Sequence, residues 1–178
     1  MTTLACFGDS LIYGFPFSPE YSWTAVLEKR LGVRVINEGA CGATTDDILD
    51  NLRYTPLPQE VRHVLFFGGA NDVMQRCPKD ATMETLRRVQ KLAGEKGWRL
   101  CVVLPLLSGE VAANEKIATL REEIGRLQEV FLLDLQPAVG SSPAELQAAY
   151  LDGWHPKAQV YEKMGEYAAP LLRVWLEE

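Results

Sequence analysis

Apolar runs of strand length alternate with amphipathic stretches along the whole chain. Five runs end close to a glycine, asparagine or proline, which is typical of buried strands. They cover residues 3–7, 33–36, 63–67, 99–104 and 130–135. Apolar residues recur at helical spacing between and after these runs, over residues 20–31, 44–53, 81–96, 110–127 and 157–177.

This alternation predicts an α/β fold in which a five-stranded parallel sheet carries helices on both faces. No change of composition and no Ser- or Gly-rich linker divides the chain, so we expect one domain over residues 1–178. In sheets of this kind, ligands bind beyond the carboxyl ends of the strands. Residues that do chemistry should therefore follow strands directly.

Net charge and hydrophobic composition argue against two classes of binding partner, nucleic acids and membranes. The net charge of −6 gives no electrostatic basis for binding nucleic acid or an anionic membrane. No apolar run is long enough for a membrane span, and the start of the chain does not resemble a signal peptide. We therefore predict a cytoplasmic protein with a small-molecule partner, and a homo-oligomer is compatible with the sequence.

The cysteines are scattered without CxxC spacing, which predicts four free thiols in a reducing compartment. Cys6 and Cys101 lie within predicted strands, and Cys41 is expected to be a small buried residue. Only two histidines are present, and neither belongs to a cluster with metal-ligand spacing. We predict no metal site and no cofactor.

Polar segments that contain glycine follow the predicted strands at four places. They cover residues 8–11, 37–44, 68–72 and 152–156. Acyl transfer needs a nucleophile, a base, a group that orients the base, and donors for the oxyanion. The polar segments offer candidates for three of these roles. Ser10 could be the nucleophile, His155 the base, and Asp152, three residues before His155, the orienting carboxylate.

The donors for the oxyanion are less sharply defined by the residues alone. Asn71 offers a side-chain amide, and glycines allow a backbone N–H group to approach a substrate closely. Either Gly39 or Gly42 could serve in the second segment, and we favour Gly42 because it lies next to a predicted helix N-terminus. Asp9 and Asp72 are expected to be structural.

The four segments resemble, in order and spacing, the motifs of the GDSL-type esterases, also called SGNH hydrolases. The resemblance runs from Gly8-Asp9-Ser10 to Asp152-x-x-His155. It implies a three-layer α/β/α, flavodoxin-like sheet without a metal. It also implies that Ser10, Asp152 and His155 form the catalytic triad, with the backbone N–H groups of Ser10 and Gly42 and the amide of Asn71 as the oxyanion hole.

Aromatic residues near the predicted nucleophile and base are candidates for a substrate pocket, namely Phe15, Phe17 and Trp154. The best prediction is hydrolysis of carboxylic esters with small or medium acyl groups through an acyl-serine intermediate. Two alternatives stay open. The same residues could transfer an acyl group to an alcohol, and a flavodoxin-like domain could bind a ligand without catalysis. His63 opens a predicted strand away from the other candidates and is expected to be structural.

Overall fold

The computed structural model describes residues 1–177 and builds them around one parallel sheet. The strands are β1 Thr3–Gly8, β2 Arg34–Gly39, β3 His63–Phe67, β4 Arg99–Val103 and β5 Phe131–Leu133. They lie in the order β2-β1-β3-β4-β5. All five predicted strands are confirmed, although β5 is shorter and β2 extends farther than the apolar runs indicate.

The helices cover both faces of the sheet. Their bounds are α1 Ser10–Tyr13, α2 Trp23–Leu31, α3 Thr45–Tyr54, α4 Ala70–Met74, α5 Lys79–Lys96, α6 Val111–Ile124, α7 Gln136–Val139, α8 Pro143–Ala149 and α9 Ala158–Glu177. A 3₁₀ turn, Pro19–Tyr21, precedes α2. The five amphipathic stretches are confirmed as α2, α3, α5, α6 and α9.

Four short helices, α1, α4, α7 and α8, lie outside the predicted stretches. They contain four to seven residues, too few for a 3.6-residue period to be recognised. A local signal does mark α8, where Ser142 and Glu145 form a capping box and Pro143 occupies the first turn. The two short helices α1 and α4 begin directly beyond strands, at the edge where the candidate site lies.

The sheet separates two hydrophobic layers, and successive side chains of β1 point alternately into one layer and the other. Leu4 and Cys6 face a layer that includes α2 and α9, whereas Ala5 and Phe7 face a layer built with α3, α5 and α6. All four side chains are fully buried. Burying one large apolar side chain contributes about 1.5–3 kcal/mol to the stability of the folded state. Together the side chains of the two layers hold the sheet on which the site is built.

Helices α2 and α9 pack closely through Gly165. A Cβ atom at this position would lie 2.4 Å from the Val26 Cβ and 2.7 Å from the Trp23 carbonyl oxygen. The absence of a side chain at Gly165 therefore allows α9 to approach α2. This approach holds α9, which follows the loop that carries Asp152 and His155.

We predict that Gly165→Ala lowers the free energy of unfolding by about 1–3 kcal/mol, because the added methyl group overpacks this contact. Gly94→Ala is the matched control in α5, where an added Cβ meets no atom within 4 Å. That variant should be more stable than the wild type by about 0.5–1 kcal/mol through helix propensity. Urea denaturation measures both values, and equal effects would contradict the close approach.

Candidate active site

Ser10 lies at the start of α1, directly beyond the carboxyl end of β1. The preceding residue, Asp9, caps this short helix, since its carboxylate accepts a hydrogen bond from the Leu11 backbone N–H at 2.9 Å. Ser10 is itself 7% exposed. A buried cap and a short helix thus fix the backbone of Ser10 at the wall of a cavity.

His155 meets Ser10 although the two residues are 145 positions apart. The Ser10 Oγ lies 3.1 Å from the His155 Nε2, and the His155 Nδ1 lies 2.6 Å from an Asp152 oxygen. With the Nδ1 proton directed at Asp152, the Nε2 atom can accept the proton of the Ser10 hydroxyl. The structure therefore brings the predicted nucleophile, base and orienting carboxylate into one hydrogen-bonded chain.

The loop that carries Asp152 and His155 is fixed by backbone contacts. The Leu151 N–H donates to the His155 carbonyl at 2.9 Å, which closes the loop on itself. The Gly109 N–H donates to the Gly153 carbonyl at 2.8 Å from the segment after β4. These contacts hold the imidazole in place before any substrate binds.

Asp152 is held in its ionised form. Partial burial raises the pKa of this carboxyl, but hydrogen bonds from the His155 side chain and from the backbone N–H groups of Trp154 and His155 outweigh it. The net pKa lies below its usual value. A negative charge is therefore present beside the imidazole across the neutral range, where it stabilises an imidazolium.

Two backbone N–H groups are available for an oxyanion. The hydrogen bonds found within residues 1–177 leave the N–H groups of Ser10 and Gly42 without an acceptor. Gly42 adopts a φ of +79° and is exposed at the cavity, a backbone conformation that favours glycine. The alternative, Gly39, donates its N–H to the Asn37 side chain at 3.1 Å and packs against the Tyr13 backbone.

Asn71 lies in α4 and lines the same cavity, but its amide already has partners. Its Nδ2 donates to the Ala43 carbonyl at 2.9 Å and lies 3.4 Å from an oxygen of Asp9. The longer of these contacts is the weaker one. A substrate oxygen can therefore compete for the Asn71 proton directed at Asp9 while the Ala43 bond keeps the amide in position.

Asp9 is fully buried, and this burial raises its pKa to about 7. The Leu11 N–H and the nearby His155 oppose that rise, while the charge of Asp72 adds to it. Asp72 is buried as well, and accepts bonds from Thr45 on α3 and from α5. Both acids thus hold the elements that surround Ser10 and Asn71.

The cavity around Ser10 has a volume of about 360 Å³ and is bordered by reacting groups and apolar side chains. Its lining residues are Asp9, Ser10, Leu11, Phe15, Cys41, Gly42, Ala70, Asn71, Met74, Trp154 and His155. Two of the three predicted aromatic residues, Phe15 and Trp154, are among them. Phe17 is not, because it packs against the core layer of α9 and against Tyr21.

The prediction that Cys41 is buried is wrong. Cys41 is exposed at the cavity because it lies in the turn between β2 and α3, outside both core layers. Cys6 and Cys101 are buried in strands as predicted, and the four thiols are free. Met74 was not predicted as a lining residue, although its position three residues after Asn71 places it on the same side of a helix.

His63 lies far from this cavity, at the opposite end of β3 from α4. It is buried edge-on against Trp175, with ring centroids 4.9 Å apart. Burial, together with the charge of Arg99, lowers its pKa. Among residues 1–177 no group of three potential ligands could hold a metal ion.

The sequence matches the model of the GDSL-like lipase/acylhydrolase family over residues 6–163. This match spans the motif of Ser10 and the motif of His155. The chain belongs to the GDSL-like lipase/acylhydrolase family. A search of curated proteins gave no significant match, and none of the described helices is long and apolar enough to cross a membrane.

Solved structures of a G-D-S-L family protein and of esterases share the fold. A protein of the lipolytic G-D-S-L family from Desulfitobacterium hafniense DCB-2 superposes with a TM-score of 0.84 at 23% identity, over 96% of this chain and 99% of its own. A carbohydrate acetylesterase family member from Sinorhizobium meliloti gives 0.78 at 21% identity, over 100% of both chains. The esterase EstA from Pseudoalteromonas sp., inhibited by monoethylphosphonate, gives 0.80 at 17% identity, over 100% of both chains.

The raised pKa of Asp9 predicts a pH-dependent stability. Between about pH 4 and pH 7 the folded protein keeps a proton on Asp9 that the unfolded chain has released, so the stability that this proton gives the wild type falls as pH rises and is lost once pH passes about 7. Asp9→Asn removes this proton uptake. The unfolding free energy of the variant relative to wild type should therefore rise by about 2–3 kcal/mol from pH 5 to pH 8.

Asp47→Asn is the matched control for this measurement. Hydrogen bonds from Thr44 lower the pKa of Asp47, so the carboxylate is ionised in both the folded and unfolded states throughout this range. The difference between Asp47→Asn and wild type should stay constant from pH 5 to pH 8. A constant difference for Asp9→Asn as well would show that Asp9 is not titrating near neutrality.

Proposed function

We propose that this protein hydrolyses carboxylic esters through an acyl-serine intermediate on Ser10. One observation carries the proposal. The Ser10 hydroxyl, the His155 imidazole and the Asp152 carboxylate form a continuous hydrogen-bonded chain at the wall of a cavity. A serine becomes a nucleophile when an oriented base removes its proton, and this arrangement supplies both the base and its orientation.

In the first half of the reaction, the Ser10 Oγ attacks the ester carbonyl carbon while its proton passes to the His155 Nε2. The imidazolium that forms lies 2.6 Å from the ionised Asp152. The carbonyl oxygen becomes an oxyanion, which the N–H groups of Ser10 and Gly42 stabilise together with the Asn71 amide. Each such donor contributes about 3–4 kcal/mol to the transition state.

The tetrahedral intermediate then collapses. The bond from carbon to the alcohol oxygen breaks, and His155 gives its proton to the leaving alcohol. Water takes the place of the alcohol, loses a proton to His155 and attacks the acyl-serine. The carboxylic acid leaves, and the proton returns to Ser10. The reaction therefore consumes one ester and one water, and each proton that is released returns to the alcohol or to Ser10 through His155.

The relatives support this class of reaction. Esterases and acetylesterases are among the proteins that share the fold, and one of them is inhibited by a phosphonate, a class of reagent that mimics the tetrahedral intermediate. Transfer of the acyl group to an alcohol would use the same residues. Product analysis with and without an added alcohol therefore belongs to the test, and we expect the free acid as the main product in water.

We predict that Ser10→Ala lowers kcat for p-nitrophenyl acetate by at least about 10³-fold, because it removes the nucleophile. The measurement is release of p-nitrophenol by purified wild type and variant. Ser141→Ala, at an exposed serine between α7 and α8, is the matched control and should keep the wild-type rate. Equal rates for wild type and Ser10→Ala would favour a ligand-binding domain without catalysis.

Asp152→Asn should lower kcat by about 10²–10⁴-fold without unfolding the protein, because it removes the charge that stabilises the imidazolium. Asp50→Asn, at an exposed carboxylate of α3, is the control and should leave kcat unchanged. Circular dichroism would check that both variants keep the fold. Wild-type activity in Asp152→Asn would remove this carboxylate from the mechanism.

A further inference from the structure

The cavity holds a set of side chains that the proposed reaction does not use. Beyond the reacting groups its walls are formed chiefly by Leu11, Phe15, Cys41, Met74 and Trp154. Two of these are large apolar residues that are open to solvent, since Met74 is 49% exposed and Phe15 is 39% exposed. Exposed apolar side chains that share a cavity with a nucleophile are suited to contact an apolar ligand.

The aromatic part of the wall lies beside the base. The ring centroids of Phe15 and His155 are 4.6 Å apart, and Trp154 directly precedes His155. The alcohol oxygen of the substrate must come within hydrogen-bonding distance of the His155 Nε2 to receive its proton. The alcohol part of the ester therefore extends across Phe15 and Trp154.

The sulfur-containing part of the wall lies beside the oxyanion donors. Cys41 directly precedes Gly42, and Met74 follows Asn71 by one helical turn of α4. The acyl chain and the alcohol oxygen are bonded to the same carbon. Because the alcohol oxygen is directed at His155, the acyl chain takes the side of the donors that Cys41 and Met74 flank. Methionine is flexible and polarisable, and it adapts to apolar chains of different shape.

The charges around the cavity exclude one class of substrate. No lysine or arginine of residues 1–177 lines the cavity, whereas the ionised Asp152 contacts His155 at its wall. An anionic acyl group would thus find no cation and would be repelled by the charge of Asp152. The volume of about 360 Å³ lies at the small end of the range for small-molecule pockets, which also limits the length of the acyl chain.

Building on the proposed function, we propose that the site has two apolar subsites, and that together they select neutral esters. Met74 with Cys41 contacts a short or medium acyl chain, and Phe15 with Trp154 contacts an apolar alcohol. Met74 and Phe15 are then specificity residues that act on different parts of the substrate. Changing one should alter selection for one part only.

Two ratios of kcat/KM test this separation. The acyl ratio compares p-nitrophenyl hexanoate with p-nitrophenyl acetate, so the alcohol is constant. The alcohol ratio compares 2-phenylethyl acetate with ethyl acetate, so the acyl group is constant and both leaving alcohols depend equally on protonation by His155. Any displacement of His155 in a variant scales both members of a ratio together and cancels, which separates substrate contact from a positioning effect.

Met74→Ala should lower the acyl ratio by about tenfold and change the alcohol ratio by less than about twofold. Phe15→Leu should lower the alcohol ratio by about tenfold and change the acyl ratio by less than about twofold. Two exposed apolar residues away from the cavity provide matched controls, Leu171→Ala on α9 and Tyr54→Leu on α3. Neither control should change either ratio.

A third comparison tests the selection for neutral esters. The mono-p-nitrophenyl ester of succinic acid places a carboxylate on an acyl chain of the same length as butyrate. Wild-type kcat/KM for this ester should be at least about tenfold lower than for p-nitrophenyl butyrate. Equal values would overturn the exclusion of anionic acyl groups.

The outcomes separate this inference from the proposed function. If wild type hydrolyses esters only when Ser10 is present, but Met74→Ala and Phe15→Leu leave both ratios unchanged or change them in the reverse sense, the two-subsite assignment is wrong and the esterase proposal stands. If wild type and Ser10→Ala hydrolyse every ester equally slowly, the proposed function fails, and the subsites fail with it.

Discussion

The hydrogen bond between Ser10 and His155 depends on how firmly α9 is held against the start of the chain. Gly165 allows α9 to approach α2, and the buried Tyr161 hydroxyl of α9 donates to the Phe15 carbonyl at 2.8 Å. Because the loop of His155 leads directly into α9, packing of the helix sets the position of the imidazole. The chemistry near residue 10 is therefore fixed by apolar contacts made more than 140 residues later.

Two carboxylates near Ser10 lie in opposite environments. Asp152 is largely open to solvent and receives three hydrogen bonds, so its pKa lies below the usual value. Asp9 is fully buried, and desolvation raises its pKa to about 7. One acid thus supplies a stable negative charge to His155, while the other serves mainly to cap α1.

The sequence predicts the sheet well and the details of the cavity wall less well. Buried strands require continuous apolar runs and long helices require periodic ones, so both leave a pattern that a single sequence reveals. Side chains in turns follow no such period. Three features depend on tertiary contacts, namely the exposure of Cys41, the placement of Phe15 rather than Phe17 at the cavity, and the position of Met74 on a helix of five residues. Ser10, Asp152 and His155 could be found because they follow or precede predicted elements in a recognisable order.

A crystal structure of the protein after reaction with a fluorophosphonate ester would test the central arrangement most directly. The phosphorus should be bonded to the Ser10 Oγ, with one phosphoryl oxygen within hydrogen-bonding distance of the backbone N–H groups of Ser10 and Gly42. The His155 Nε2 should lie next to the alkoxy oxygen that stands for the leaving alcohol. Phosphorus on the Cys41 sulfur, or a phosphoryl oxygen directed away from both N–H groups, would contradict the proposed nucleophile and oxyanion hole.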